Sequence, residues 1–140
     1  MFKYYFCIVF FLLPFFYSCK NHSVSLFTNL DKNSTGVNFR NMFIDDGPLN
    51  MNNYMYFYNG GGVAIGDINN DGLQDILFTG NMVKNRLFLN KGNFEFDDIT
   101  KRSGVAEKQG WCTGATMADI NGDGKLDIYI CRSADGSPQR

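Results

Sequence analysis

The stretch Asp67-Ile68-Asn69-Asn70-Asp71-Gly72-Leu73-Gln74-Asp75 decides the reading of this chain, because it returns as Asp119-Ile120-Asn121-Gly122-Asp123-Gly124-Lys125-Leu126-Asp127. A hard divalent cation such as Ca2+ takes about six to eight oxygen ligands, and side-chain oxygens at alternate loop positions can converge on one point. In the first loop Asp67, Asn69 and Asp71 offer side-chain oxygens, Leu73 offers its backbone carbonyl, and Asp75 closes the loop. Asp119, Asn121, Asp123, Lys125 and Asp127 stand at the same positions in the second. The glycine before Leu73 or Lys125 permits the sharp turn that aims that carbonyl inward. Asp, Asn and Gly also favour turns without any metal. The second copy weighs against that simpler account, and three carboxylates drawn together repel one another unless a cation neutralises them. All ten residues are therefore expected metal ligands.

An EF-hand would place a glutamate at position twelve and continue into a helix. Here position twelve is Phe78 in the first copy and Ile130 in the second. Each loop runs instead into a β-rich segment, Ile76-Leu77-Phe78-Thr79 or Ile128-Tyr129-Ile130-Cys131, so the loop is expected to connect two strands of a hairpin. Asp119 follows Asp67 by 52 residues (119 minus 67), near the spacing expected of successive propeller blades. Gly62-Val63-Ala64-Ile65-Gly66 leads into the first loop as Gly114-Ala115-Thr116-Met117-Ala118 leads into the second. Between the copies, Arg86-Leu87-Phe88-Leu89 and Phe94-Glu95-Phe96-Asp97 flank Asn90-Lys91-Gly92-Asn93, a hairpin signal that brings the repeat to four short strands.

On these motifs the chain resembles FG-GAP and VCBS repeat proteins, related to the calcium-binding blades of integrin α-subunit propellers, over roughly residues 54 to 135. The segments Tyr58-Asn59-Gly60-Gly61-Gly62-Val63-Ala64-Ile65-Gly66-Asp67 and Phe96-Asp97-Asp98-Ile99-Thr100 are also similar to those of bacterial surface proteins allied to the cartilage acidic protein group. The resemblance implies an all-β fold of β-propeller blades, in which calcium stiffens outer hairpins and loops at one face bind partners. About two repeats cannot close a ring, so an incomplete propeller is expected, the N-terminal piece of something longer. The expected organisation is a signal peptide at 1–18, a tether and lead-in segment at 19–53, a first repeat at 54–109 and a truncated second repeat at 110–140.

Lys3 supplies a positive start, and Tyr4 through Tyr17 form a short apolar core interrupted by Pro14. A spanning helix needs about 20 apolar residues, more than this core offers. Phe16-Tyr17-Ser18-Cys19 then resembles a relaxed bacterial lipobox with Cys19 as the lipidated residue, although Phe16 and Tyr17 depart from the usual pattern. An ordinary secretory peptide and a short signal anchor are the alternatives. All three place the repeats outside the cytoplasm, and the lipid reading points to a bacterial outer-membrane lipoprotein.

The remaining features bound the function. Formal net charge is −1, and removal of 1–18 with its Lys3 leaves −2, without a basic strip, so no nucleic-acid partner is expected. The single histidine, His22, lies in the tether, which leaves no Ser-His-Asp or Cys-His set and no zinc cluster. Catalysis is not expected in these residues. Cys112 and Cys131 flank the second loop at an odd separation, which tends to place them on opposite faces of a hairpin and disfavours a disulfide. Leu26-Phe27 and Val37-Asn38-Phe39 are expected to form an early strand, and Tyr54-Met55-Tyr56-Phe57-Tyr58 a buried blade strand in preference to a sugar-stacking platform. Trp111 is expected to pack at the start of a strand. The function read from these residues is a calcium-stabilised extracytoplasmic binding or adhesion module with a protein or glycan ligand, held at a membrane by lipid. The alternative is the scaffold of an extracellular enzyme, such as a polysaccharide-acting one, with catalytic residues outside these repeats. The lipid assignment predicts that metabolic labelling with a fatty acid modifies the protein and is abolished by Cys19→Ala; labelling that survives the substitution would reject Cys19 as the attachment site.

Overall fold

A computed structural model describes residues 25–45, 47, 49–106 and 110–134. The signal segment, Cys19 and residues 135–140 lie outside the described residues. The chain is all-β, with two short helices: α1 (Lys32–Thr35), β1 (Val63–Gly66), β2 (Asp75–Phe78), β3 (Arg86–Asn90), β4 (Phe96–Asp98), α2 (Thr100–Ser103), β5 (Trp111–Ala118) and β6 (Asp127–Ala134). Strands β1 to β4 form one antiparallel meander, and β5 and β6 form a second, two-stranded sheet. The first sheet is thus the four-stranded blade expected from the sequence, while two strands of the second are described. No helix among the described residues is long and apolar enough to cross a membrane.

The two hairpins repeat strand for strand. In the first, Val63 pairs with Phe78, Ala64 with Leu77, Ile65 with Ile76 and Gly66 with Asp75. In the second, Ala115 pairs with Ile130, Thr116 with Tyr129, Met117 with Ile128 and Ala118 with Asp127. Each pair of the second hairpin sits 52 residues beyond its counterpart, so the sequence repeat is also a repeat of register. Alternation along a strand sends neighbouring side chains to opposite faces. Ala64, Leu77, Leu87 and Ile99 accordingly form a buried cluster, against which Ala115, Met117, Ile128 and Ile130 of the second sheet pack. The sheets meet closely because glycine faces glycine: a Cβ at Gly62 would lie 2.6 Å from the Gly114 Cα.

A second cluster joins the lead-in segment to the second sheet. Phe57 and Trp111 are buried together, with Phe43, Leu49, Tyr54 and Met82 around them. Trp111 begins β5 and packs, as its position suggested. Residues 54–58 form turns where a blade strand was expected, and only Phe57 is fully buried while Met55, Tyr56 and Tyr58 face outward. Five consecutive large apolar or aromatic residues carry no alternation, and the chain here is reversing direction, so the aromatic content reflects one inward anchor and an exposed rim. The early strand is also absent among the described residues. Asp31 instead caps α1 by accepting the Asn33 N–H at 2.7 Å, and Gly36 ends the helix at φ 76°. Leu26 and Phe27 are exposed, and Phe39 stacks on Phe78 with ring centroids 5.0 Å apart.

Cys112 is buried and Cys131 exposed, both free; Cys112 pairs with Arg132 and Gly114 with Cys131 across an irregularity. The two cysteines face opposite ways because of this irregularity: regular continuation of the register would pair position 112 with 133 and put Cys112 on the face of Cys131, so the expectation from odd separation reaches the right outcome for a reason the hairpin does not share. Beside Cys112, Asn81 and Asn85 in the β2–β3 connection satisfy buried backbone groups: Asn81 donates to the Cys112 carbonyl at 3.2 Å, and Asn85 accepts from the Gly80 N–H at 3.0 Å. Removing the buried leucine of β3 by Leu87→Ala should lower stability by about 2–5 kcal/mol. Gly62→Ala should lower it through separation of the sheets. Both are read by denaturant unfolding, and unchanged midpoints would contradict this packing.

Candidate metal centre

The acidic loops occupy residues 67–75 and 119–127, each joining the two strands of a hairpin. Such a loop must reverse direction while leaving few amides unpaired. The aspartates at position one do much of this. Asp67 accepts the Asp71 N–H at 3.0 Å and the Gly72 N–H at 2.7 Å. Asp119 accepts the Asp123 N–H at 3.1 Å, the Gly124 N–H at 2.8 Å and the Gly122 N–H at 2.7 Å. At position five, Asp71 accepts the Leu73 N–H at 2.8 Å and Asp123 the Lys125 N–H at 2.9 Å. The asparagines at position three bridge these groups: Asn69 donates to Asp71 at 2.8 Å and Asn121 to Asp123 at 3.1 Å, while each side-chain oxygen accepts the following aspartate's N–H. Left-handed backbone at Asn70 and Gly72, and at Gly122 and Gly124, turns both loops alike.

Position nine differs in its surroundings. Asp75 is fully buried and uses both oxygens, accepting the Ile68 N–H at 2.9 Å and the Asn90 N–H of β3 at 2.8 Å. Asp127 accepts the Ile120 N–H at 3.1 Å in the same way and is half-buried. The structure therefore brings Asp67, Asn69 and Asp71 together in one loop, and Asp119, Asn121 and Asp123 in the other. It does not draw in the rest: among the described residues no group of three or more acidic, histidine or cysteine side chains is gathered closely enough to hold a metal ion. The donor chemistry fits a hard cation, since every candidate atom is a carboxylate, amide or carbonyl oxygen. The carboxylates in this conformation face loop amides, which hold them in place by the bonds given above.

Two residues of the region escaped the sequence reading. Asn90 ties the first loop to β3 through the Asp75 bond and through its side-chain donation to the Gln74 carbonyl at 3.0 Å. Asn70 donates to the Gly124 carbonyl at 2.9 Å, so the two loops touch. The available signal for Asn70 was its alignment with Gly122: asparagine tolerates the left-handed region that glycine otherwise occupies. Its partner across the loops had no signal, because a contact over 54 residues depends on how the sheets stack.

A four-stranded antiparallel sheet followed by a hairpin of the same register, each with a nine-residue acidic loop, defines a blade-type β-repeat protein. Residues 67–130 match the FG-GAP-like repeat family. The chain is similar to cartilage acidic protein 1: it is 42% identical to the Xenopus tropicalis protein over 72 residues, which is 51% of this chain. Identity to the Mus musculus protein is 38% over 69 residues, or 49% of the chain, and to the Homo sapiens protein 38% over 72 residues, or 51%. The matched stretch spans 11% of the length of each relative.

The Leu73 N–H, with help from Asn69, holds the Asp71 carboxyl below its ordinary value of 3.8, and the Lys125 N–H, with Asn121, does the same for Asp123. A depressed carboxylate contributes stability above the unfolded value and loses it as pH falls through the lower folded value. The amide protons of Leu73 and Lys125 should therefore titrate below pH 3.8 in an NMR pH series. Inflections at or above that value would contradict the two hydrogen bonds.

Proposed function

We propose that this chain is a calcium-stabilised binding module that works outside the cytoplasm and is held at a bacterial membrane by lipid on Cys19. The observation that carries the metal part is the repeated bonding of the two loops: the aspartates at positions one and five accept the corresponding amides in both copies, 52 residues apart, with one further bond from Gly122 in the second. A turn needs only one or two such side chains. Conservation of the whole oxygen set between the copies is better explained by a common ligand. Asp67, Asn69, Asp71, the Leu73 carbonyl and Asp75 would hold one Ca2+, and Asp119, Asn121, Asp123, the Lys125 carbonyl and Asp127 the other. Bound calcium neutralises the clustered carboxylates and links the two strands of each hairpin. Loading requires Asp75 and Asp127 to turn an oxygen toward their loops. Asp127 is the less encumbered, so the second loop should bind at least as readily as the first.

The extracytoplasmic setting is supported by the apolar N-terminal segment and by similarity to proteins named for cartilage, and the binding role by the FG-GAP-like repeats. A protein or glycan would be the ligand, taken by the loops at one end of the blades. No catalytic set is present in the sequence that would favour an enzyme. With free calcium about 100-fold above the dissociation constant, mass action adds about 2.7 kcal/mol per independent site. Calorimetric titration should thus show calcium binding at millimolar concentration or better, with a higher melting temperature than in chelator. Asp71→Ala and Asp123→Ala should each remove one site, and Lys125→Ala should bind normally because that position offers only its backbone. Absence of calcium heats together with identical melting in chelator would overturn the metal assignment.

A further inference from the structure

At the end of the first sheet opposite its acidic loop, the fold gathers positive charge that is scattered in the sequence. Connections of an antiparallel meander alternate between its two ends, so the β1–β2 loop with Asp67, Asn69 and Asp71 lies at one end, and the β2–β3 connection and α2 lie at the other. Lys84 stands in that connection and Lys101 and Arg102 in α2, and together they line an open groove of about 560 Å³. The two segments are fixed to one another. Buried Asn85 accepts the Gly80 N–H and donates to the Val105 carbonyl at 3.2 Å, which ties the Lys84 segment to the chain that follows α2. Thr100, also buried, accepts the Leu87 N–H at 3.1 Å, and the Ile99 N–H donates to the Leu87 carbonyl at 2.9 Å, which ties the entry to α2 onto β3.

The charge in this groove is not cancelled from within. Of the two carboxylates at its rim, Asp98 is paired with Arg86 and accepts the Thr100 N–H at 2.9 Å, and Asp97 lies 3.9 Å from Lys91. Among the described residues Lys84, Lys101 and Arg102 take part in no ion pair, and all three are exposed. They stand in connections rather than on a face of the sheet, so the packing of sheet on sheet makes no use of them. We propose, on the strength of the binding role given above, that this groove takes a sulfated polysaccharide as the module's ligand. A formal net charge of −1 gives the molecule no general attraction for a polyanion, so capture is local to this end. A carboxylate is best met by the planar, bidentate fork of an arginine, and the Arg86 fork is already engaged by Asp98. Two of the three remaining cations are lysines, point charges with rotatable donors that suit the three terminal oxygens of a sulfate ester. Three cations along one groove match a sugar chain charged on successive units, and a neutral glycan would leave them unused.

The test uses the full chain in a mild non-ionic detergent and reads the fluorescence anisotropy of a labelled heparin octasaccharide. At about 0.15 M salt wild-type protein should bind it, with an affinity that falls as salt rises. Lys101→Gln combined with Arg102→Gln should weaken binding about tenfold or more, and Lys84→Gln, from the other segment, about threefold. Both changes fall at exposed positions, so the melting temperature should not move. Lys32→Gln, which removes the same charge outside the groove, should bind as wild type does. Absence of heparin binding by wild-type protein, groove variants that bind as tightly as wild type, or an equal loss in Lys32→Gln would each overturn the proposal. Equal affinity for polygalacturonate or for duplex DNA of similar length would overturn it too, by marking a carboxylate ligand or an undiscriminating polyanion surface. Anisotropy reads the sugar and calorimetry the metal: calcium binding without heparin binding would leave the module with a different ligand, and heparin binding without calcium would overturn the metal assignment alone.

Discussion

The close approach of β1 to β5 is the contact on which the rest of the structure depends. A two-stranded hairpin is at best weakly stable by itself in water, and even the four-stranded sheet has two faces to cover. Glycine at 62 and 114 lets the two inner strands come together, and this brings Ala64, Leu77, Leu87 and Ile99 within reach of the second sheet's aliphatic face. Burial of those side chains supplies the non-directional part of the stability. Directional bonds then fix the arrangement: the Cys112 N–H donates to the Gly80 carbonyl at 3.2 Å, and Asn81 bridges the lead-in segment at Asn41 to the Cys112 carbonyl.

The same stacking puts the two acidic loops side by side. Each loop is internally organised by its own aspartates, but the Asn70 bond to Gly124 exists only because the two hairpins pack against each other. Two clusters of negative charge are thereby held near each other at one end of the sheets. Their mutual repulsion is a cost to the bare protein, and cations would relieve it. Asp75 shows how the first loop is joined to its sheet as well, since one buried carboxylate holds an amide of the loop and an amide of β3 together. The structural role of that residue and its proposed role as a ligand compete for the same oxygens.

Aromatic residues do different work on the two sides of the molecule. Phe57 packs on Trp111 of β5 with ring centroids 5.4 Å apart, Tyr54 stands edge-on to Trp111 at 5.2 Å, and Phe43 and Leu49 of the lead-in segment pack against this pair. The Tyr54 hydroxyl reaches Ser133 of β6 at 2.8 Å, which extends this tie across the second hairpin. Phe39 on Phe78 makes the corresponding link to the first sheet. The described residues of the lead-in segment therefore strap both sheets without forming a strand in either.

By itself the sequence determined the local elements: two acidic loops, the strands on either side of them and the Asn90–Asn93 hairpin. These follow from short-range chemistry, in which turn residues, β-branched runs and alternation act within a few positions of one another. The aromatic run at 54–58 and the short pieces Leu26-Phe27 and Val37-Asn38-Phe39 form no strand, because a few apolar residues, alternating or not, do not specify a partner strand. Only the tertiary structure decided where those segments lie, which face of each sheet is buried, and that Asn70 and Asn90 bind the first loop to its surroundings. Those outcomes depend on contacts between residues far apart in the chain, fixed when glycine-lined strands from successive repeats pack together, and no pattern within either repeat specifies them.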